Sequence, residues 1–80
     1  MKLKQDLSIG HNLQKLRLKN DLTQDQVSSK LFTMGLPISR EILSQMENGK
    51  YNVRISVLLA LKSIYHASFD DFFEGLSLSE

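Results

Sequence analysis

The 80-residue sequence has no cysteine and no tryptophan, a single proline and four glycines. Without thiols there is no disulfide, no thiolate metal site and no sulfur nucleophile, and a reducing compartment, the cytoplasm, fits. No apolar run approaches the ~18 residues that a membrane helix needs, and the opening Met-Lys-Leu-Lys-Gln-Asp leads into no signal-peptide core. Strand signals are also missing, because no alternating run is bounded by hairpin dipeptides. His11 and His66 stand far apart with no carboxylate cluster at ligand spacing, so neither a metal nor another cofactor is expected. There is no Gly-rich phosphate loop, no Ser/His/Asp order in a nucleophile context and no pair of carboxylates in an apolar setting. No catalytic residues are assigned, and an enzyme is not expected.

What is present describes one small all-α domain. Apolar residues make up 41 % and charged residues 24 % of the chain, ordinary values for a folded domain, whose core at this length is thin. The net charge of +1 favours no partner, but its distribution is uneven. Residues 1–67 carry all ten Lys and Arg against five acids, whereas residues 68–80 carry four acids and no base. A basic body with an acidic end suits a domain that meets a polyanion with one surface, and it equally fits an unselected surface.

Five helical segments follow from apolar periodicity and caps. The first runs from about Ser8 to Lys19, with Ile9, Leu13 and Leu16 in line, and stops at Asn20-Asp21, which tolerate a left-handed backbone. The second starts at Thr23 with Gln26 three residues on, a capping-box pattern, and has Val27, Leu31 and Met34 as its apolar stripe. Gly35-Leu36-Pro37 ends it. The third opens at Ser39 and stops at Gly49. The fourth covers roughly Ile55 to Tyr65, with Leu58, Leu61, Ile64 and Tyr65 on one side and His66 at its C-terminus. The fifth begins at the Ser68/Asp71 cap, and Phe69, Phe72 and Phe73 are most simply the core that closes the domain. An exposed member of that trio becomes a candidate dimer contact.

The third segment is the informative one. On a helical wheel Ile42, Leu43 and Met46 share one arc, and Arg40, Glu41, Ser44, Gln45 and Asn48 share the opposite arc. Arg, Gln, Ser and an acid are the side chains that read base edges in a major groove. A plain solvated face accounts for the same pattern, and the wheel alone leaves both readings open.

Ile9-Gly10, Leu16-Arg17, Leu22-Thr23-Gln24, Ser39-Arg40, Leu43-Ser44 and Glu47-Asn48-Gly49-Lys50, in this order, resemble the phage-repressor and Cro type of helix-turn-helix domain, the XRE-like family. Leu58-Leu59, Leu61 and Ser68-Phe69-Asp70-Asp71-Phe72-Phe73 look like the last two helices of the same fold. The likeness covers about residues 8–74, leaving 1–7 as an N-terminal arm and 75–80 as a short tail. It implies a five-helix domain that binds operator DNA as a two-fold dimer, with the third helix in the major groove. By position, Arg40, Glu41, Ser44 and Gln45 would read bases. Gln24, Ser39, Asn48 and Lys50 would hold the backbone. For Tyr51 and Arg54 phosphate contact and plain solvation stand level. Arg17 and Glu47 match a structural ion pair of the family.

The chain also departs from the common family pattern. Seven residues, Phe32 to Ile38, separate Leu31 from Ser39, where that pattern has a glycine and one apolar residue, so a longer second helix and a turn displaced to Gly35–Ile38 are expected. Ile42 replaces a commonly polar residue and would pack on that extension, with contact to a thymine methyl as the less favoured alternative. Lys2 and Lys4 admit a basic arm or a frayed end. The functional expectation is a DNA-binding transcriptional regulator, a repressor acting as a homodimer. The alternative is an antitoxin-type module that neutralises a protein partner, motivated by the aromatic, acidic C-terminal end.

Overall fold

Local side-chain caps set where the second, third and fifth helices begin. In the computed structural model, which describes residues 7–77, the chain forms α1 (Gly10–Lys19), α2 (Gln24–Thr33), α3 (Arg40–Glu47), α4 (Ile55–Ile64) and α5 (Phe69–Phe72). Thr23 and Gln26 form a reciprocal capping box at α2, the Thr23 hydroxyl accepting from the Gln26 amide and the Gln26 side chain accepting from the Thr23 amide. Ser68 and Asp71 do the same at α5. Ser39 caps α3 by accepting from the Ile42 N–H at 3.2 Å. Each such cap satisfies amides that the helix itself leaves open, for about 0.5–2 kcal/mol.

The first four helices end in one common way. After the last turn a single residue adopts positive φ, and the amide beyond it donates back across the turn: Leu22 to Arg17, Leu36 to Leu31, Lys50 to Gln45 and Ala67 to Lys62. This six-to-one closure satisfies carbonyls that would otherwise be orphaned. Glycine supplies the left-handed residue after α2 (Gly35) and α3 (Gly49), whereas Asp21 and His66 take it at φ 56° and 51°. At the end of α1 the left-handed residue is thus Asp21 alone; Asn20 instead uses its side-chain amide, donating to the carbonyls of Leu16 and Tyr65.

The core lies where α1, α2, α3 and α4 converge, with α5 closing it against α1. Leu13, Val27, Leu31, Leu43, Met46, Val53, Val57, Leu61 and Phe72 are fully buried, each aliphatic or aromatic side chain contributing roughly 1.5–3 kcal/mol on removal from water. Two expectations need correction. Met34 is exposed because α2 ends at Thr33 and the chain reverses at Gly35; Leu36, not Met34, turns back against the core. Only Phe72 of the aromatic trio is core, at 0 % exposure, with Phe69 at 48 % and Phe73 at 46 %. The four-residue α5 can turn one side inward, and Phe69 and Phe73, four apart, share the other.

Three contacts fix α1 against α5, α1 against α3, and the link that leads into α3. Asn12 of α1 donates to the carbonyls of Phe72 and Glu74, capping the end of α5. Gly10 sits where α1 crosses the end of α3; a Cβ there would lie 2.5 Å from the Glu47 carbonyl oxygen and 2.6 Å from that of Met46. The extended link from α2 to α3 is held by Ser28, whose hydroxyl donates to the Ile38 carbonyl at 2.6 Å. The arm with Lys2 and Lys4 lies outside the described residues, apart from the exposed Leu7.

Candidate nucleic-acid interface

Helix α3 has two faces of opposite chemistry. Leu43, Met46 and Glu47 are buried, and Arg40, Glu41, Gln45 and, just past the helix end, Asn48 are exposed, with Ser44 and Ile42 at the boundary. The periodicity of the sequence causes this: residues 43, 46 and 47 recur at three- and four-residue spacing and so share one stripe.

A charged residue, Glu47, lies within that buried stripe, and its partner comes from α1. Arg17 Nε donates to Glu47 Oε2 at 2.7 Å and Arg17 Nη2 to Oε1 at 3.1 Å, with side-chain exposures of 10 % and 2 %. The remaining terminal nitrogen, Nη1, donates to the Leu22 carbonyl at 2.8 Å. The hydrogen bond to Glu47 holds the guanidinium pKa above its ordinary value against the opposing effect of burial. Such a two-pronged pair fixes the rotation of α3 against α1, because planar fork and carboxylate meet in one geometry.

Glu47 Oε1 also accepts from the Gln24 side-chain amide at 3.1 Å. The first residue of α2 is thereby tied to the last residue of α3. One N–H of the Gln24 amide is used in this bond, and among the described residues its second N–H and its carbonyl oxygen have no partner. With the Gln26 amide capped by Thr23, the backbone N–H groups of Gln24 and Asp25 stand at the positive end of the α2 dipole.

A sequence model of the helix-turn-helix family matches residues 13–72, three-quarters of the chain, and spans all of α2, α3 and the link between them. The chain belongs to the XRE-type helix-turn-helix family. It is a DNA-binding transcriptional regulator of that type, in an all-α fold with five helices among the described residues. The family is a regulatory one, not typically enzymatic. No curated protein sequence matches the chain significantly. No helix among the described residues is long and apolar enough to cross a membrane.

In this helix-turn-helix protein the residues singled out from the sequence fall into two neighbourhoods. Gln24 and Arg40 line one open concavity of about 570 Å³ together with Arg17, Leu22, Thr23 and Asp25. Tyr51 and Arg54 line a second, narrower cavity of about 160 Å³ with Ile42, Met46 and the Leu36–Ile38 link. Ile42 thus packs beside the extended link, and the Tyr51 ring is partly buried against the core while Arg54 is exposed. Lys50, in the loop after α3, is exposed, and Ser39 has its hydroxyl oxygen engaged in the α3 cap. Three contacts around the site are invisible to periodicity: Gln24 to Glu47, Ser28 to Ile38, and the ion pair of Arg40 Nε with Asp25 Oδ1 at 3.5 Å. Each joins residues ten or more positions apart. The longer spacing between Leu31 and Ser39 is the one sequence signal that points toward any of them.

Proposed function

We propose that the chain is a sequence-specific repressor that lays α3 in the major groove of a palindromic operator and acts as a homodimer. The observation that carries this reading is the division of α3, with the base-reading types Arg40, Glu41 and Gln45 exposed on one face and Leu43, Met46 and Glu47 buried on the other. Ser44 completes the reading set. Gln24, Ser39, Asn48 and Lys50 hold phosphates on either side, with Arg54 and Tyr51 flanking, and so set register without reading sequence. The backbone N–H groups of Gln24 and Asp25, at the positive end of the α2 dipole, suit a phosphate oxygen. One recognition helix reads few base pairs; two placed about 34–36 Å apart by a dyad read one face of the duplex. The exposed Phe69 and Phe73, with Lys62 Nζ 5.0 Å from the Phe69 ring centre, form the apolar surface on which the second copy would seat. Selection from a random DNA pool followed by footprinting tests the reading. A palindromic site protected on one face is the expected result, and equal affinity for all sequences refutes it.

The same aromatic surface favours a second reading. Phe69 and Phe73 stand among Asp70 and Glu74, which suits an antitoxin-type module whose partner is a different, basic protein. Co-purification of a stoichiometric second chain that masks Phe69 and Phe73 distinguishes this from self-association.

A further inference from the structure

The exposed ion pair between α2 and α3 points to a specificity device within the proposed DNA-reading function, on which this inference rests. Asp25 Oδ1 lies 3.5 Å from Arg40 Nε, with side-chain exposures of 80 % for Asp25 and 55 % for Arg40. Arg40 is the first residue of α3 and Asp25 the second residue of α2. Both line the open concavity that also contains Gln24. The carboxylate addresses the Nε side of the guanidinium. Among the described residues Nη1 and Nη2 have no hydrogen-bond partner.

We infer that Asp25 is a positioning residue for base reading: it holds Arg40 by one edge so that the Nη1/Nη2 edge is left for a two-pronged acceptor in the groove. Guanine presents such an acceptor, O6 with N7, and Arg to guanine is the commonest specific contact. A free arginine samples many rotamers, and an anchor at Nε reduces that freedom before DNA arrives. The location argues for this role and against general affinity. An acid beside the α2 N-terminus repels the phosphates that Gln24 and the α2 amides would bind, so Asp25 weakens binding to DNA of any sequence. Its return is discrimination at the base pair that Arg40 meets. A bystander acid that only complements the α2 dipole has no effect on discrimination.

The test uses the operator duplex selected by the wild-type chain from a random pool, together with a set of duplexes altered at one base pair each. Affinities are measured for wild type, Asp25→Asn, Asp25→Ala, Arg40→Ala and the Asp25→Asn/Arg40→Ala double variant, with folding checked by circular dichroism. Both Asp25 variants are expected to bind the whole set more tightly while losing about two- to fivefold of the discrimination at one G·C pair, the scale of an exposed ion pair. That loss is absent when Arg40 is already alanine. A uniform gain at every position, or a loss of discrimination that persists without Arg40, overturns the positioning role while leaving DNA reading intact. If the wild-type chain selects no sequence at all, the proposed function falls and the role of Asp25 with it.

Discussion

Removing one partner of the buried Arg17–Glu47 pair is the most demanding test of this structure. In Glu47→Leu the carboxylate disappears while Arg17 stays, 10 % exposed, with only the Leu22 carbonyl as an acceptor among the described residues. In Arg17→Met the Glu47 carboxylate, 2 % exposed, keeps only the Gln24 amide as a donor among the described residues. An uncompensated buried charge costs about 3–5 kcal/mol. A domain of this length has about 4–12 kcal/mol of stability in total, so either substitution removes a large part of it and lowers the melting temperature by more than ~12 °C. The double variant Arg17→Met/Glu47→Leu takes away both charges and leaves apolar groups of similar volume. It is expected to regain most of the loss, because desolvating two ions offsets much of their attraction. Urea unfolding of all four proteins, with slopes compared, gives the double-mutant cycle. Single losses below about 1 kcal/mol, or a double loss equal to the sum of the singles, refute the view that this pair is a coupled buried unit.

Other outcomes follow from the same packing. Gly10→Ala gains up to about 1 kcal/mol of helix propensity but forces a methyl against two backbone carbonyls; a net destabilisation of ~1–3 kcal/mol in chemical denaturation is expected, and a stabilised variant contradicts the close crossing. The Tyr65 hydroxyl is buried with no hydrogen-bond partner among the described residues, so Tyr65→Phe should leave stability unchanged or raise it by up to about 2 kcal/mol. Burial first, and Glu47 second, raise the Tyr65 pKa above its ordinary value. The folded state therefore holds that proton more tightly, and stability drops as pH rises above about 10, a drop that Tyr65→Phe removes. The Asp71 carboxyl is held below its usual range chiefly by the Ser68 amide; its contribution is present above about pH 4 and lost as pH falls through the folded value, so wild type and Asp71→Ala should converge in acid unfolding. On DNA, Arg40→Ala or Gln45→Ala should cost ~1–3 kcal/mol on the selected site alone, whereas Lys50→Ala weakens all duplexes alike and flattens the salt dependence. Equal losses on selected and random DNA for all three remove the base-reading assignment.

Much of the architecture was legible because the signals that set it are local. Thr23 with Gln26, Ser39 with Ile42 and Ser68 with Asp71 lie three residues apart, and a short polar side chain reaches that far whatever the rest of the molecule does. The stop at Gly35 and the displaced link to Ser39 follow from the same short-range logic. So do the two faces of α3, since its polar and apolar residues alternate with the helical period. Met34 departs from the expected stripe because it is the residue just past the end of α2, where the chain leaves the helical path toward Gly35. The aromatic trio divides because composition says that phenylalanine is apolar but not which side of a four-residue helix meets the core.

The sequence by itself determined the helical segments, the side-chain caps of α2, α3 and α5 and a third helix with a polar outer row, because caps, stops and periodicity act over three or four residues. Tertiary packing decided which side chains meet across the chain: Arg17 with Glu47, Glu47 with Gln24, Asp25 with Arg40 and Gly10 against the end of α3. Likeness to a family pointed to the first of these pairs; the others come from helix crossings alone. Residues 15 to 37 positions apart become neighbours only when those helices cross, and the crossings are set by the volumes and close approaches of the whole core.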